Sequence, residues 1–272
     1  MDLKSDKNIL PYCGELVQKH DPDRFLQTMF MPANVREDLW ALFAFNHEIA
    51  KTREVVSDST LGLIRLQWWR DAIKGIYEDG VYQDHEVIKP LTAAIRKHTL
   101  PREHFDQLAY AREFDLEDVS PGNVEGLLNY ADFTTQSLFK LALIISGADP
   151  DQHVVQPVAI NYALAGVLRA TASFARQHRF YLPEDLMTTY NVSKEHFFEE
   201  QSRENLQSVI KDVLDAKLSV TKPSHPFLRS AEAISELYFK QIKGAGYDIL
   251  NPKLGIEPPL KVLRVFLRTK IL

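Results

Sequence analysis

Residues 25–71 read FLQTMFMPANVREDLWALFAFNHEIAKTREVVSDSTLGLIRLQWWRD. Val35, Leu39, Leu42, Phe43, Phe45, Ile49 and Ala50 recur at steps of three and four, which places them on one wide apolar face of an α-helix. Pro32, whose ring presets a helical φ, is expected to open that helix. A short polar joint at 57–60 leads to a second helix capped by Ser59 or Thr60. Its buried face is expected to carry Leu61, Ile64, Trp68, Ala72, Ile73 and Ile76, and it should end before Gly80. Two long amphipathic helices joined this tightly point to an all-α chain.

Working outward, the same periodicity predicts helices at 90–98, from Leu100-Pro101 through Phe105, Leu108, Ala109 and Leu116, and from Leu127 to a stop at Gly147. Further helices follow at roughly 153–175, 193–221 and 227–243, the last closed by Gly244 and Gly246. No run alternates convincingly as a strand, and no repeat or low-complexity segment occurs. Short polar connections suit antiparallel neighbours, so residues 1–272 are read as one helical bundle with a central cavity between helices. Residues 1–20 are expected to be loosely ordered. The last segment, 258–272, reads as a basic amphipathic helix: LKVLRVFLRTKIL carries four cations and no acid around Leu260, Leu263, Leu267 and Ile271. Such a helix lies on an anionic membrane surface, docks on a partner, or is a last core helix with its basic face in water.

Composition narrows the function classes. The 272 residues are 45% hydrophobic and 25% charged, enough for a substantial core. A net charge of −5 provides no basic field for nucleic acid. The single cysteine, Cys13, forms no internal disulfide and suits a reducing compartment. It is expected to be inert. The N-terminus lacks the apolar core of a signal peptide, and its acids are unlike a mitochondrial transit peptide, so a cytoplasmic location is expected. No stretch attains the ~20 apolar residues of a spanning helix. Segments 137–148 and 154–170 are short, or interrupted by Gln156, Pro157 and Asn161, and read as core helices. Catalytic hydrolase or phosphate-loop motifs are not found, and none of the nine histidines has metal-ligand spacing.

The run MPANVREDLWALFAF at 31–45 resembles the squalene and phytoene synthase family, in which this pattern precedes an aspartate-rich box that holds Mg²⁺ and a prenyl diphosphate. Here the box positions are Ala50, Lys51 and Glu54. The run GVLRATASFARQHRFYLPEDL at 166–186 resembles the family's second motif, matching its end at Arg179, Tyr181, Leu182, Pro183 and Glu184. Between Asp151 and Glu184, however, there is no Asp or Glu, and Arg169, Arg176, His178 and Arg179 stand in that region. A third motif, rich in small residues in the family, reads Tyr130-Ala131-Asp132-Phe133-Thr134-Thr135-Gln136.

The resemblance implies an isoprenoid-synthase-like bundle, and the altered boxes imply altered chemistry. Ionising a prenyl diphosphate requires its leaving group to be neutralised by hard cations on carboxylate oxygens. Loss of one well-placed electrostatic group costs roughly 3 kcal/mol in the transition state. Acid pairs at helical spacing, Glu54/Asp58, Glu113/Glu117 and Asp115/Asp118, offer substitutes, although such pairs usually mark a solvated face. Asp115 also resembles a family position near the active site.

FNHEIAKTREVVSD, GLIRLQWWRD and LRAT resemble a divergent branch of the family that keeps the fold without its metal boxes. That branch includes a mitochondrial assembly factor of respiratory complex I and bacterial relatives. The expectation is thus a non-catalytic or strongly altered, cofactor-free family member acting as a binding or assembly factor, cytoplasmic or in the mitochondrial matrix. Its cavity candidates are Arg36, Phe43, His47, Ala50, Lys51, Glu54, Asp115, Arg169, Arg176, Arg179 and Tyr181, with no catalytic or metal residue. Expected partners are a prenyl or lipid ligand, a client such as a complex I subunit, and a peripheral membrane contact through 260–272. The alternative is a Mg²⁺-dependent head-to-head prenyltransferase condensing two prenyl diphosphates.

Overall fold

A computed structural model describes residues 10–78, 83–117 and 119–270. Among them are thirteen α-helices. In chain order they are α1 (Tyr12–His20), α2 (Pro22–Thr28), α3 (Arg36–Ala50), α4 (Thr52–Val55), α5 (Ser59–Glu78), α6 (Ile88–His98) and α7 (Arg102–Ala111). There follow α8 (Val124–Ile145), α9 (Gln156–Arg176), α10 (Glu184–Thr189), α11 (Arg203–Asp215), α12 (Pro226–Gly244) and α13 (Lys261–Lys270). No strand occurs among the described residues, as the periodicity predicts.

Helix α3 is the axis. Every residue from Leu39 to Asn46 is buried, so its apolar surface extends round the whole circumference rather than along one stripe. It packs against α1, α6 and α8, while α8 pairs with α9, α9 with α12, and α12 with α13. Aromatic rings tie these layers together: Phe45 meets Trp69 of α5 and Phe105 of α7 edge-on, and Phe43 stacks with Phe227 of α12.

Several boundaries differ from the sequence reading. Pro32 precedes a short 3₁₀ turn, Ala33–Val35, and α3 starts only at Arg36. Asp58, not Ser59 or Thr60, caps α5, its Oδ1 accepting the Leu61 N–H at 3.0 Å. Leu61 and Ile64 are exposed, and Gly62, Leu66 and Trp69 are the buried residues there. The expected helix over 193–221 is confined to α11. Ser193 Oγ takes the His196 N–H in a turn before it, and after it Asn161 of α9 bonds both the N–H and C=O of Leu218 (2.9 and 2.8 Å). A side chain that satisfies both backbone groups removes the need for another helical turn. The short helix α10 was not predicted.

The loose order expected for 1–20 is contradicted where described: α1 packs on α3, burying Cys13 and Val17. Residues 1–9 lie outside the described set. Burial, with Glu86 and Glu48 nearby, pushes the Cys13 thiol up to about 12, which suits its inert reading. Helix α9 is long and apolar enough to cross a membrane by length and composition, contrary to the expectation that no stretch is. Gln156 is its first residue and Pro157 sits in its first turn, so neither interrupts it. In the fold it is a core helix between α8 and α12.

Helix α12 starts on His225, whose Nδ1 accepts the Phe227 N–H at 3.3 Å. Burial, with His153 close by, lowers the His225 pKa to about 4. The unfolded chain therefore binds the extra proton first as pH falls. The cap's contribution is complete above about pH 6.5 and is lost between there and about pH 4. On the order of 2 kcal/mol of stability should disappear across that window, after allowance for partial exposure. His225→Asn, which keeps an acceptor but does not titrate, should flatten this part of a urea-unfolding series against pH.

Candidate functional site

A cavity of about 310 Å³ opens between α2, α8, α9 and α12. Its charged lining is Asp21, Asp23, Arg24, Arg112 and Arg169, and its aromatic walls are Tyr130, Tyr162, Phe174 and Tyr238. The local sequence explains how the chain puts two acids and an arginine there. Asp21 caps α2 through the Arg24 N–H (3.1 Å), with Pro22 in the first turn, so the DPDR segment turns inward as α2 begins. Arg24 also pairs with Asp21 and lies over the Tyr162 and Phe43 rings. Arg169 covers the face of Tyr238, 3.6 Å from its centroid, and reaches Asp23 at 3.5 Å. Three cations against two acids leave the lining net positive.

The Nε atoms of Arg24, Arg112 and Arg169 are buried without a hydrogen-bond partner among the described residues. A buried donor left unmatched costs about 1–3 kcal/mol, more when charged. Arg65 and Arg179, which do not line the cavity, have the same unmatched Nε, so it is the net positive lining that favours an anionic occupant.

Behind the wall formed by Arg112 and Tyr130 lies a second polar cluster. Helix α9 ends in a turn in which His178 takes φ 57° while its N–H and that of Arg179 bond the carbonyls of Ala175 and Phe174. This reversal folds Arg179 and Tyr181 back against Phe174. The following YLP segment is held by the 120–122 loop, where Pro121 and Gly122 carbonyls accept the Glu184 and Asp185 N–H groups. Asp115 then accepts from Tyr130 (2.7 Å), Tyr181 (2.8 Å) and Arg112 (3.3 Å), while Arg179 donates to the Tyr181 hydroxyl at 2.5 Å. Burial, followed by the Asp115 charge, pushes both tyrosines above their ordinary pKa, so they remain hydroxyl donors.

The structure thus gathers Asp115, Arg179 and Tyr181 into one cluster, with exposed Glu54 3.9 Å from Arg179, and brings Arg169 alone of the expected residues to the cavity lining. The others are elsewhere. Arg36 bonds the carbonyls of Met31 and Met29 (3.1 and 3.3 Å), about 22 Å along α3 from Lys51. Phe43 is core. His47 stacks on His20, and burial lowers its pKa, with His20 and Lys51 adding to the effect. Lys51, at the end of α3 beside Ala50, pairs with Glu48 at 2.6 Å, and Glu48 is also held by Arg65 at 2.8 Å. Arg176 is exposed against Phe198. Asp21, Asp23, Arg24, Arg112, Tyr162 and Tyr238 were missed. The one local signal for them was DPDR, a capping pattern that carries no hint of its distant partners.

The Mg²⁺ implied by the resemblance needs several oxygen ligands in near-octahedral array. Asp21 and Asp23 are the acids lining the cavity, and each is paired with a cation: Arg24 for Asp21, and Lys261 at 2.7 Å and Arg169 for Asp23. Among the described residues no three His, Cys, Asp or Glu side chains converge; Asp118 is outside that set. The donors present do not fit a magnesium centre.

The sequence model of the squalene/phytoene synthase family matches residues 17–250. NADH dehydrogenase (ubiquinone) complex I, assembly factor 6 of Bos taurus is 30% identical over 270 residues, covering 95% of this chain and 81% of the relative. The Homo sapiens protein of that name gives the same identity and coverage. In fold, the chain is similar to a dehydrosqualene synthase crystallised in complex with ligand, with a TM-score of 0.75 at 17% identity over 94% of this chain and 93% of that one.

Proposed function

The chain belongs to the squalene/phytoene synthase family, and from that premise we propose that it is an assembly factor for a respiratory complex I subunit. Its cavity, on this reading, holds one anionic, apolar-tailed molecule, a prenyl diphosphate or a lipid headgroup, without condensing two. The observation that carries the ligand half is the set of three arginines, against two acids, around one aromatic-walled cavity. Guanidinium groups bind phosphate oxygens directly, in fork geometry, and need no metal between. Cavity size supports one occupant: about 310 Å³ is the lower end of what a single ligand requires. The assembly half is supported by the relatives named for that role. It places the protein in whichever compartment faces the client, the cytoplasm or the mitochondrial matrix.

Thermal unfolding with farnesyl diphosphate, with and without Mg²⁺, tests the ligand. A stabilisation that is independent of Mg²⁺, and reduced at least about tenfold in apparent affinity by Arg112→Gln with Arg169→Gln, is expected. No shift in either condition would remove the ligand. Pyrophosphate release with a squalene- or phytoene-type product would establish the prenyltransferase instead. For the assembly role, deleting the gene in its host should lower assembled complex I and membrane NADH:ubiquinone activity; unchanged levels would refute it.

A further inference from the structure

Helix α13 contacts the body with the side that one of the three sequence alternatives, the last core helix, assigned to water. Its buried residues are Lys261, Val265 and Thr269, one per turn. Leu260, Val262, Leu263, Phe266 and Leu267 are 71, 60, 50, 46 and 39% exposed. The expectation of a last core helix with its basic face in water is therefore overturned. The reason is Lys261: its ammonium is buried between Asp23 and Glu257, beside the Tyr238 hydroxyl, and this rotates the leucines outward. Arg229 of α12 donates to the Thr269 carbonyl (3.1 Å) and Lys270 to that of Phe30 (3.4 Å), so the far end is fastened too. Single exposed apolar side chains are ordinary, but five on one helix and its lead-in residue form a patch that marks an interaction surface.

We propose that this face of α13 docks on an anionic lipid surface, independently of what the cavity holds. Charge complementarity selects the occupant. The chain carries a net charge of −5, yet α13 has no acid, and Arg264 and Arg268 lie along one edge of the apolar face. Lys222 and Arg229 extend the basic margin near Arg268. The acids in the neighbourhood include Asp23 and Glu257, both engaged with Lys261, and half-buried Glu232, beside Arg268. Apolar side chains between cations are what a helix lying in the headgroup region presents. Cations at such a surface each contribute about fivefold in affinity.

The full chain should pellet with vesicles of phosphatidylcholine containing about one-third phosphatidylglycerol, and not with phosphatidylcholine alone, with binding that weakens as salt is raised. Arg264→Gln with Arg268→Gln should weaken it about thirtyfold. Leu263→Ser with Phe266→Ser should weaken it at least about tenfold. Both pairs remove exposed or half-buried side chains, so circular dichroism and melting should match the parent. Absence of pelleting with anionic vesicles, equal pelleting with neutral ones, or unchanged binding by the folded Leu263/Phe266 variant would each overturn the proposal. So would a concentration-dependent dimer that the same variant abolishes, which would assign the face to a second copy.

Discussion

Replacing Asp115 by Ala is expected to cost about 3–5 kcal/mol of folding stability, read as a lowered urea midpoint at unchanged slope. Asp115 is 5% exposed and is the common acceptor for Tyr130, Tyr181 and Arg112. Removing it leaves two buried hydroxyls and a buried guanidinium without their acceptor, and Arg112 already has an unmatched Nε. That is the costly half of hydrogen-bond energetics: a lost partner leaves a full desolvation penalty behind. Against a total of about 5–15 kcal/mol, the loss is a large share. Asp115→Asn keeps the shape and one acceptor oxygen but not the charge facing Arg112, so an intermediate loss is expected. The effect should also reach the cavity, because Arg112 and Tyr130 line it. A loss below about 1 kcal/mol for the Ala variant would mean that water replaces the carboxylate and that the cluster is not a determinant of this wall.

Lys261→Met should be comparably damaging, again about 3–5 kcal/mol, although it swaps one long side chain for another of similar reach. Lys261 is 5% exposed, and its loss leaves the partly buried Asp23 with only the Tyr238 hydroxyl and the longer contact to Arg169, at 3.5 Å. Asp23→Asn alone should cost less, since an amide still accepts from Tyr238 and Lys261 retains Glu257. The double variant should be less destabilised than the sum of the two, by roughly 1–3 kcal/mol, because neither charge then remains unpaired. Strict additivity in that cycle would show that the ion pair does not hold α13 to the body. The same variants report on the cavity, where Asp23, Arg169 and Tyr238 share one wall.

These two clusters show where sequence reading was strong and where it ran out. The periodicity at 35–50 announced α3, and the 127–145 and 227–243 patterns located α8 and α12 to within a few residues. Arg179 and Tyr181 were named through the family resemblance of 166–186, and the turn at His178 brings them together. Arg36, Lys51 and Arg176 were placed at the site by charge and motif alone, and each proved to be occupied with a neighbour or exposed. The missed lining residues sit in segments whose sequence announces only a cap or a core helix.

What the sequence alone determined, then, is the all-α class, most of the helices and the absence of acids from 152–183, since backbone hydrogen bonding and apolar spacing act over three or four residues. The tertiary structure decided which polar groups meet and which way α13 faces. Asp23 and Lys261 are 238 residues apart, and no local pattern records the pairing. Burying that one ammonium ties the polar side of the helix to the body, and its leucines are left to face outward.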